Sequence, residues 1–426
     1  MTYSSVAVAV ISLSSLSLLL WLYLFFFRGM FWRTEPRLPA ARVPDGPQTW
    51  PAVAVLVPAR NEAPLLPQTL PTVLAQQYSG AFHVYLIDDH SEDGTADAAR
   101  RLAEDAGAVQ RLTVVQARPL PEGWTGKLWA LQQGLEACTA AKPDYVLLTD
   151  ADVSWSPGVL ASLVEHARRN DLDLASLTPP LRIESVWDRL LLPAFIYFFA
   201  MIYPYRWVGD PSKRTAAAVG MCILLRREAL ERAGGFTPIG SKLIKTTSPW
   251  DFVRPSPHCG EGIPTQSGRV RFEASGRVWL GFTSDLRSPS SEGRSLRRPV
   301  SLRSIWDMVA RTAYVQLDHN AAWLALTTLG MAVTYFAPPL AFVGGVAAIA
   351  LEPRSAGAWL LASTGGLAWL LMQASMLPVL RWSGVSHRYA RLLPLTAALY
   401  TLMTLDSAWR FWRGKGGGWK GRTYQH

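Results

Sequence analysis

The sequence predicts an α/β domain with a mostly parallel sheet, and membrane-spanning helices before and after that domain. Three features indicate this: apolar runs towards both ends, a middle region in which short apolar runs alternate with helical stretches, and an intermediate composition. Of the 426 residues, 49% are hydrophobic and 17% are charged. The chain is therefore too apolar for a purely soluble enzyme, and its middle is too polar for a pure transporter.

The first apolar run, residues 5–27, contains no charged residue. A run of this length can cross a hydrocarbon core of about 30 Å. Arginines follow it directly, at positions 28, 33, 37 and 42. Under the positive-inside rule they keep the next domain in the cytoplasm and leave the N-terminus outside. A cleaved signal peptide is the alternative, but it would have basic residues before a shorter apolar core.

Between residues 50 and 180 the pattern is typical of a parallel α/β sheet, because short apolar runs alternate with helical periods. No glycine-rich dinucleotide-binding loop follows the first run, which disfavours a dehydrogenase. The absence of a glycine-rich phosphate loop there likewise disfavours a nucleotidyltransferase. The strand candidates are residues 52–57, 82–87, 112–115, 145–148 and 172–177, and residues 127–141 fit a helix.

Polar residues cluster where successive predicted strands end, at 58–62, 88–95 and 149–152. Open α/β sheets bind ligands at these carboxyl ends. Since side chains two apart in a strand share a face, we expect Asp150 and Asp152 to point together at one hard divalent cation, which prefers oxygen ligands. Taken alone, this pair also fits a solvated turn at the end of a strand.

The net charge of +10 does not by itself indicate nucleic acid, because the arginines lie along membrane-flanking stretches and no recognised nucleic-acid motif accompanies them. Anionic lipid headgroups are the partner that this distribution favours. The three cysteines, Cys138, Cys222 and Cys259, are an odd number without metal-binding spacing. They fit a reducing compartment, and we expect them to be packing residues.

Together these motifs resemble, in order and spacing, those of family-two glycosyltransferases with the GT-A fold. The matching segments are residues 58–62, 88–95, 123–127 and 150–152. More narrowly, the chain resembles the membrane-bound hopene-associated glycosyltransferases of bacteria over nearly its whole length, except for about residues 245–300. The segments that carry the narrower resemblance are residues 124–130, 186–208, 216–235, 305–316 and 419–422.

The resemblance implies an inverting, metal-dependent enzyme that moves a sugar from a nucleotide sugar, with UDP as the expected nucleotide, to a lipid-linked or hopanoid-pathway acceptor. It places a multi-pass chain in a bacterial inner membrane, with the catalytic domain in the cytoplasm. The implied nucleoside pocket consists of Pro58, Ala59, Arg60 and Glu62, with Asp88 or Asp89 on the uracil edge. Lys127 would meet the pyrophosphate, and Asp152, helped by Asp150, would hold Mg²⁺ or Mn²⁺ on it.

The resemblance also implies a general base, which relatives supply as an acidic pair after the segment matched here by residues 216–235. At that place this chain has Lys245 and Thr246, so the expected pair is missing. The nearest carboxylates are Asp251 and Glu261, which are weak candidates. If neither serves, the chain is a sugar-nucleotide-binding pseudoenzyme, which is the alternative reading of its function.

A frameshift would explain the missing pair. Residues 245–251 can be encoded as AAG-ACG-ACC-TCG-CCT-TGG-GAC, and reading from the third base gives Asp-Asp-Leu-Ala-Leu-Gly. This acidic, helix-forming stretch is of the kind the family places there. Residues 245–277 moreover have no helical or strand period. The alternative is a genuine insertion.

The remaining apolar stretches are harder to assign. Residues 186–208 contain two prolines, which favours an interfacial segment, with a buried core helix as the alternative.

Residues 321–351, 358–380 and 392–409 are membrane candidates, the first of them split by Pro338 and Pro339. Basic residues at 381–391 and at 410–422 lie on either side of the last segment, and the positive-inside rule places both groups in the cytoplasm. Three simple crossings cannot satisfy this. Either the split segment makes two passes or re-enters, or one rule is broken.

The predicted domains are therefore an N-terminal membrane helix at 1–30 and the nucleotide-sugar half of a GT-A domain at 50–240. The rest of the catalytic domain follows at 241–320, including the aberrant segment. Membrane helices at 321–410 and a basic tail at 411–426 complete the chain.

Overall fold

The computed structural model describes residues 3–40, 49–210, 212–213, 215, 217–240, 277–283, 286–287, 301–311, 313–413, 418–419 and 422–423. They belong to two compact units. The helical unit falls within residues 1–34, 183–204 and 299–426, and the sheet unit within residues 35–182 and 205–298. The predicted catalytic domain differs from this division, since residues 183–204 and 301–316 group with the helical unit.

The strands of the sheet unit lie close to the predicted ranges where a prediction was made. The strands are β1 Val53–Ala59, β2 Phe82–Asp88, β3 Leu112–Gln116, β4 Tyr145–Thr149, β5 Ser154–Trp155, β6 Leu174–Thr178, β7 Cys222–Arg226, β8 Val278–Phe282 and β9 Leu286–Arg287. The α-helices of the described residues are α1 Tyr3–Leu22, α2 Leu66–Leu74, α3 Thr95–Asp105, α4 Gly126–Cys138, α5 Val159–Arg169, α6 Val186–Ile202, α7 Tyr205–Val208, α8 Arg227–Arg232, α9 Leu302–Ala310, α10 Ala313–Gln316, α11 Ala321–Met331, α12 Ala337–Leu351, α13 Ala356–Trp382 and α14 Leu393–Trp412.

The main sheet has the strand order β3-β2-β1-β4-β7-β6-β8 among the described residues. All neighbours are parallel except β7, which runs antiparallel to both β4 and β6. This confirms the predicted α/β class with a mostly parallel sheet. The sequence analysis did not identify β7, because a short apolar run such as Cys222–Arg226 fits a strand and a buried helix equally well.

Helix α4 packs directly on the sheet because it carries a glycine at the closest approach. A Cβ atom on Gly134 would lie 2.7 Å from Cδ1 of Ile87, on β2, and 3.2 Å from Cδ2 of Leu56, on β1. An alanine at this position would force the Ile87 side chain to shift, because the helix and the sheet are in close contact here. The N-terminus of α4 is thereby held near the carboxyl ends of these strands.

Three described helices of the helical unit are long and apolar enough to cross a membrane: Val6–Phe27, Ala321–Leu351 and Ala356–Trp382. Membrane helices before and after the α/β domain were predicted. The third C-terminal prediction, residues 392–409, is not supported, because α14 is not among these candidate spans. Its polar residues, which include Thr396, Asp406 and Arg410, lower its apolar character.

The predicted split at Pro338 and Pro339 is wrong, since helix runs continuously from Ala321 to Leu351. The five residues before Ala337 form a π-helical turn, which leaves backbone carbonyls without their usual helical partners. Those of Val333 and Thr334 instead accept hydrogen bonds from Oγ of Ser17, at 2.8 Å, and Nε1 of Trp21, at 2.7 Å. Because α1 supplies these donors, the prolines do not break the helix.

Helix α6 is a buried helix of the helical unit, and it continues through Pro193. A capping box formed by Ser185 and Asp188 starts it. Tyr400 Oη donates a 2.9 Å hydrogen bond to the carbonyl oxygen of Leu191, and Tyr197 Oη lies 2.7 Å from Ser375 Oγ. This packing fits a buried helix, which was the alternative in the sequence analysis. It does not fit the interfacial segment that the two prolines favoured.

Candidate functional site

The carboxyl ends of β2, β1 and β4 lie side by side, and the loops after β1 and β2 are tied together. Ser91 Oγ accepts the backbone N–H of Asn61 at 2.9 Å, and Asn61 Oδ1 accepts the N–H of Glu92 at 2.9 Å. Asp93 Oδ2 accepts the N–H of Ala63 at 3.0 Å. Asp93 therefore has a structural role in joining the two loops, and Glu62 is buried between these contacts.

The predicted nucleoside-pocket residues come together at this place. Pro58 and Ala59 are the last two residues of β1, and Ala59 pairs in register with Asp88, the last residue of β2. Arg60 donates a 2.8 Å hydrogen bond to the carbonyl oxygen of Asp89, and its guanidinium lies 3.6 Å from the Asp89 carboxylate. Asp88 and Asp89 are only 4% and 2% exposed, so the protein holds both in fixed positions.

Asp150 and Asp152 lie in a turn directly after β4, and not within a strand. The strand alternation that predicted a shared face therefore does not apply to them. The turn is instead fixed by its backbone, because Thr69 Oγ1 of α2 donates a 2.7 Å hydrogen bond to the carbonyl oxygen of Ala151. Both aspartates are half-buried at the end of the sheet.

Helix α2 supplies further contacts that the sequence analysis missed. Thr72 Oγ1 accepts the N–H of Trp155 at 2.9 Å, and Gln76 Nε2 donates to the carbonyl oxygen of Ser156 at 3.0 Å. Thr69 and Thr72 lie three residues apart in α2, and Gln76 follows just after the helix ends. Polar residues among the apolar residues of this segment were the available signal.

The N-terminus of α4 brings a cation and a buried hydroxyl to the same region. Lys127 Nζ forms an ion pair with Asp150 Oδ1, so two residues predicted to act on the pyrophosphate are in contact. Thr125 occupies the N-cap position of α4 without a side-chain capping hydrogen bond. Its buried Oγ1 has no hydrogen-bond partner among the described residues.

The donor set fits a hard cation only in an open form. Among the described ranges, no group of three or more His, Cys, Asp or Glu side chains is placed to hold a metal ion. Asp150 and Asp152 provide two carboxylates in one turn. Mg²⁺ usually binds one or two protein carboxylates and keeps water and substrate phosphates in its other positions. The pair therefore fits a substrate-bridging metal and does not fit an all-protein cage.

The buried cysteines do not contribute to this site. Burial raises the pKa of the Cys138 thiol to about 11 and raises that of the Cys222 thiol further. Both thiols stay neutral at neutral pH, as expected of packing residues. Cys259 lies outside the described residues, and so do Lys245, Thr246 and the base candidates Asp251 and Glu261.

Comparison with known proteins identifies the domain. Residues 54–234 match the family model described as glycosyl transferase family 2. An N-acetylglucosaminyltransferase of Mesorhizobium japonicum is 32% identical over 203 residues, which are 45% of this chain and 43% of that protein. An undecaprenyl-phosphate 4-deoxy-4-formamido-L-arabinose transferase of Aeromonas hydrophila is 37% identical over 117 residues, 27% of this chain and 33% of that protein.

The chain thus spans less than half the length of the curated relatives that it matches. Among solved structures, a mannosyltransferase of Pyrobaculum calidifontis, in complex with GDP-Man and Mn²⁺, aligns over 93% of this chain and 98% of that chain. The sequence identity is 20% and the TM-score is 0.44. Residues 54–234 thus match a family-two glycosyltransferase domain, and the mostly parallel mixed sheet fits this match.

Proposed function

We propose that the protein is a membrane-bound, inverting glycosyltransferase that moves a sugar from a nucleotide sugar to a lipid-linked acceptor at the cytoplasmic membrane face. The observation that carries the proposal is the meeting of Arg60, Asp89, Lys127 and Asp150 at the carboxyl ends of β1, β2 and β4. A ligand with a base, a ribose and a diphosphate would contact the Arg60–Asp89 pair with its nucleoside and the Lys127–Asp150 pair with its diphosphate. The curated transferase that acts on undecaprenyl phosphate supports a lipid-linked acceptor.

The proposed donor site has two halves. The half near the ends of β1 and β2 would hold the nucleoside, with Asp88 or Asp89 on the edge of the base. The half between α4 and the turn after β4 would hold the diphosphate. There Lys127 offers a point charge, and the hydroxyl of Thr125 is a spare hydrogen-bonding group at a helix N-terminus, where anions are stabilised.

Asp152, helped by Asp150, would hold Mg²⁺ or Mn²⁺ against the diphosphate. When bound, such an ion stabilises negative charge on the departing nucleotide. In the transfer step, the acceptor oxygen attacks the anomeric carbon while the bond from that carbon to the nucleotide breaks. The acceptor proton passes to a carboxylate base, for which Asp251, Glu261 or a restored acidic pair at positions 245 and 246 are the candidates.

The candidate spans support a simple topology. If α1 and the helices 321–351 and 356–382 cross the membrane and α14 does not, the chain crosses three times. The arginines after α1, those at 381–391 and the basic residues at 410–422 then all lie on the cytoplasmic side, as the positive-inside rule requires. A reporter fused after residue 50 should therefore report the cytoplasm, and a periplasmic signal would overturn the compartment assignment.

The hopanoid pathway and UDP remain the specific expectations for acceptor and donor. They rest on the resemblance of the sequence to hopene-associated glycosyltransferases. A pseudoenzyme that binds the donor without transferring sugar is the second candidate. The observation that favours it is the Lys245-Thr246 sequence where relatives have an acidic pair.

Calorimetric titration of the purified full chain with UDP and GDP, with Mn²⁺ and with excess chelator, tests the donor site. We expect binding that depends on the metal, and Asp152→Asn should weaken it by about 3 kcal/mol, or roughly 100-fold. Asp97→Asn, on the exposed side of α3, is the matched control and should bind normally. Equal affinity in excess chelator would contradict the assignment of Asp150 and Asp152 to a metal site. If neither nucleotide bound, the proposed glycosyltransferase function would be wrong.

A further inference from the structure

Helix α14 carries a continuous apolar stripe along its full length on the exposed side. The stripe residues are each between 38% and 57% exposed. Their spacing of three, four and seven residues places them on one face of the helix. The stripe consists of Leu395, Leu402, Leu405, Trp409 and Trp412. A surface of this kind is expected to face an apolar environment.

The opposite face of α14 is fixed to the helical unit by polar contacts. Arg410 forms ion pairs of 2.8 Å with Asp307 of α9 and with Asp406 of its own helix. Trp306 Nε1 donates a 2.7 Å hydrogen bond to Asp406, and Ser407 Oγ accepts the N–H of Tyr314 at 3.0 Å. The stripe therefore faces away from the unit in a defined orientation.

The position of α14 distinguishes it from a spanning helix. Helices α12 and α13 are joined by only four residues and pack along each other, so the start of α11 and the end of α13 lie at the same end of the bundle. Helix α14 contacts mainly α9, α10 and α11, and to a smaller extent α6 and the π-helical turn at residues 332–336, while its contact with α13 is slight. A helix of 20 residues is about 30 Å long. If α14 crossed the membrane beside α13, it would contact α13 over most of that length.

Basic residues border the stripe at both ends. Arg388 and Arg391 are exposed just before α14, and Arg413 is exposed just after it, with its guanidinium 4.4 Å from the ring centre of Trp409. Leucine and tryptophan on one face with flanking arginines is the pattern of a helix that lies in the headgroup region. Positive charge there is attracted to anionic lipids.

We propose that α14 lies flat in the membrane interface, with its stripe of leucines and tryptophans in the boundary between headgroups and acyl chains of an anionic bilayer. The candidate spans of the same unit bring lipid to this surface, which is why the bilayer is the occupant that we infer. This inference does not depend on the donor or on the acceptor. It explains why basic residues on both sides of α14 lie in one compartment.

Depth measurement by fluorescence quenching tests this placement. In a variant without its native cysteines, single cysteines at L395C, L402C, L405C and W412C would carry an environment-sensitive fluorophore. The full chain would be reconstituted in nanodiscs of phosphatidylethanolamine and phosphatidylglycerol with nitroxide labels at graded depths. Since the helix lies flat, we expect all four positions at one shallow depth.

Helix α13 provides the matched control, with L360C and L370C at exposed positions near its end and its middle. There we expect a shallow and a deep label, because the two positions are about 15 Å apart along the helix axis. If α14 spanned the bilayer, Leu402 and Leu405 would lie near the centre, with Leu395 and Trp412 near the headgroups. That pattern would overturn the proposal. Labels that no lipid nitroxide quenches would overturn it too, and would indicate a protein partner or solvent.

Discussion

The two units of this protein place polar and apolar groups in opposite ways. In the sheet unit the strands bury apolar side chains, while polar residues gather at the strand ends, where ligand chemistry takes place. In the helical unit large leucines and tryptophans are exposed, and hydroxyls such as those of Ser14 and Thr364 meet inside, 2.8 Å apart. The difference shows which solvent each unit is built for, because helices in lipid associate through polar and small residues rather than through the hydrophobic effect.

Buried hydroxyls consequently have different tasks in the two units. In the sheet unit Thr69 holds the turn that carries Asp150 and Asp152, so it acts on a site. In the helical unit the Ser14–Thr364 contact joins α1 to α13, so it acts on assembly. Substitutions in the first unit should therefore change ligand binding, and those in the second should change stability.

The largest expected effect concerns the base, whose candidates lie outside the described residues. Without a positioned carboxylate, transfer should fall by roughly 10²- to 10⁴-fold while donor binding is kept. Restoring Asp-Asp-Leu-Ala-Leu-Gly from position 245, with the in-frame sequence that follows, should recover transfer in a radiolabelled-sugar assay. If the unaltered chain is fully active and Asp251→Asn abolishes activity, Asp251 is the base and the frameshift hypothesis is wrong. Resequencing codons 240 to 300 gives an independent check.

A smaller effect is expected at Lys127. Lys127→Gln removes the cation beside Asp150 and leaves a polar side chain that is one atom shorter, so diphosphate binding should weaken by about tenfold, or about 1.4 kcal/mol. Binding of the nucleoside without phosphates should be unchanged, since Lys127 belongs to the other half of the site. Arg100→Gln, an exposed cation on α3, is the control and should alter neither affinity. Equal losses for nucleoside and diphosphate would contradict the division of the site into halves.

The comparison between the units is tested directly by one substitution made in each. Thr69→Val should lower donor affinity and also cost about 1 kcal/mol of stability, since it removes a buried hydrogen bond to the turn. Thr364→Val should cost about 0.6 kcal/mol of stability in detergent and leave donor affinity unchanged. Thermal unfolding and nucleotide titration of both variants provide the readouts. A loss of donor affinity in Thr364→Val alone would refute the assignment of tasks.

The smallest expected effect concerns the reactivity of the two buried cysteine thiols. Because burial raises the pKa of Cys138 to about 11 from an ordinary value of 9.0, the reactive thiolate is scarce in the folded protein below pH 9. Mass spectrometry after treatment with iodoacetamide at pH 8 should find Cys138 and Cys222 unmodified until denaturant is added. Rapid modification of either residue in the folded chain would show that it is not a packing residue.

The sequence by itself determined the strands β1 to β4 and β6 and the first candidate membrane helix. A buried parallel strand is a short continuous apolar run, and a membrane-spanning helix is a long one. Both can therefore be recognised from the local sequence pattern. It also determined the order of the site motifs, because each follows directly on a strand. The residues 58–62, 88–89 and 150–152 could be placed at strand ends without any knowledge of their neighbours.

Only the tertiary structure decided how these pieces meet. The pairing of Lys127 with Asp150, the support of the Ala151 carbonyl by Thr69 and the continuous helix through Pro338 each join residues far apart in the chain. Local periodicity carries no information on such contacts. The same holds for α14, which the sequence analysis took for a membrane candidate. Its polar residues are satisfied by partners on α9 and α10, and that arrangement exists only once those helices have packed against it.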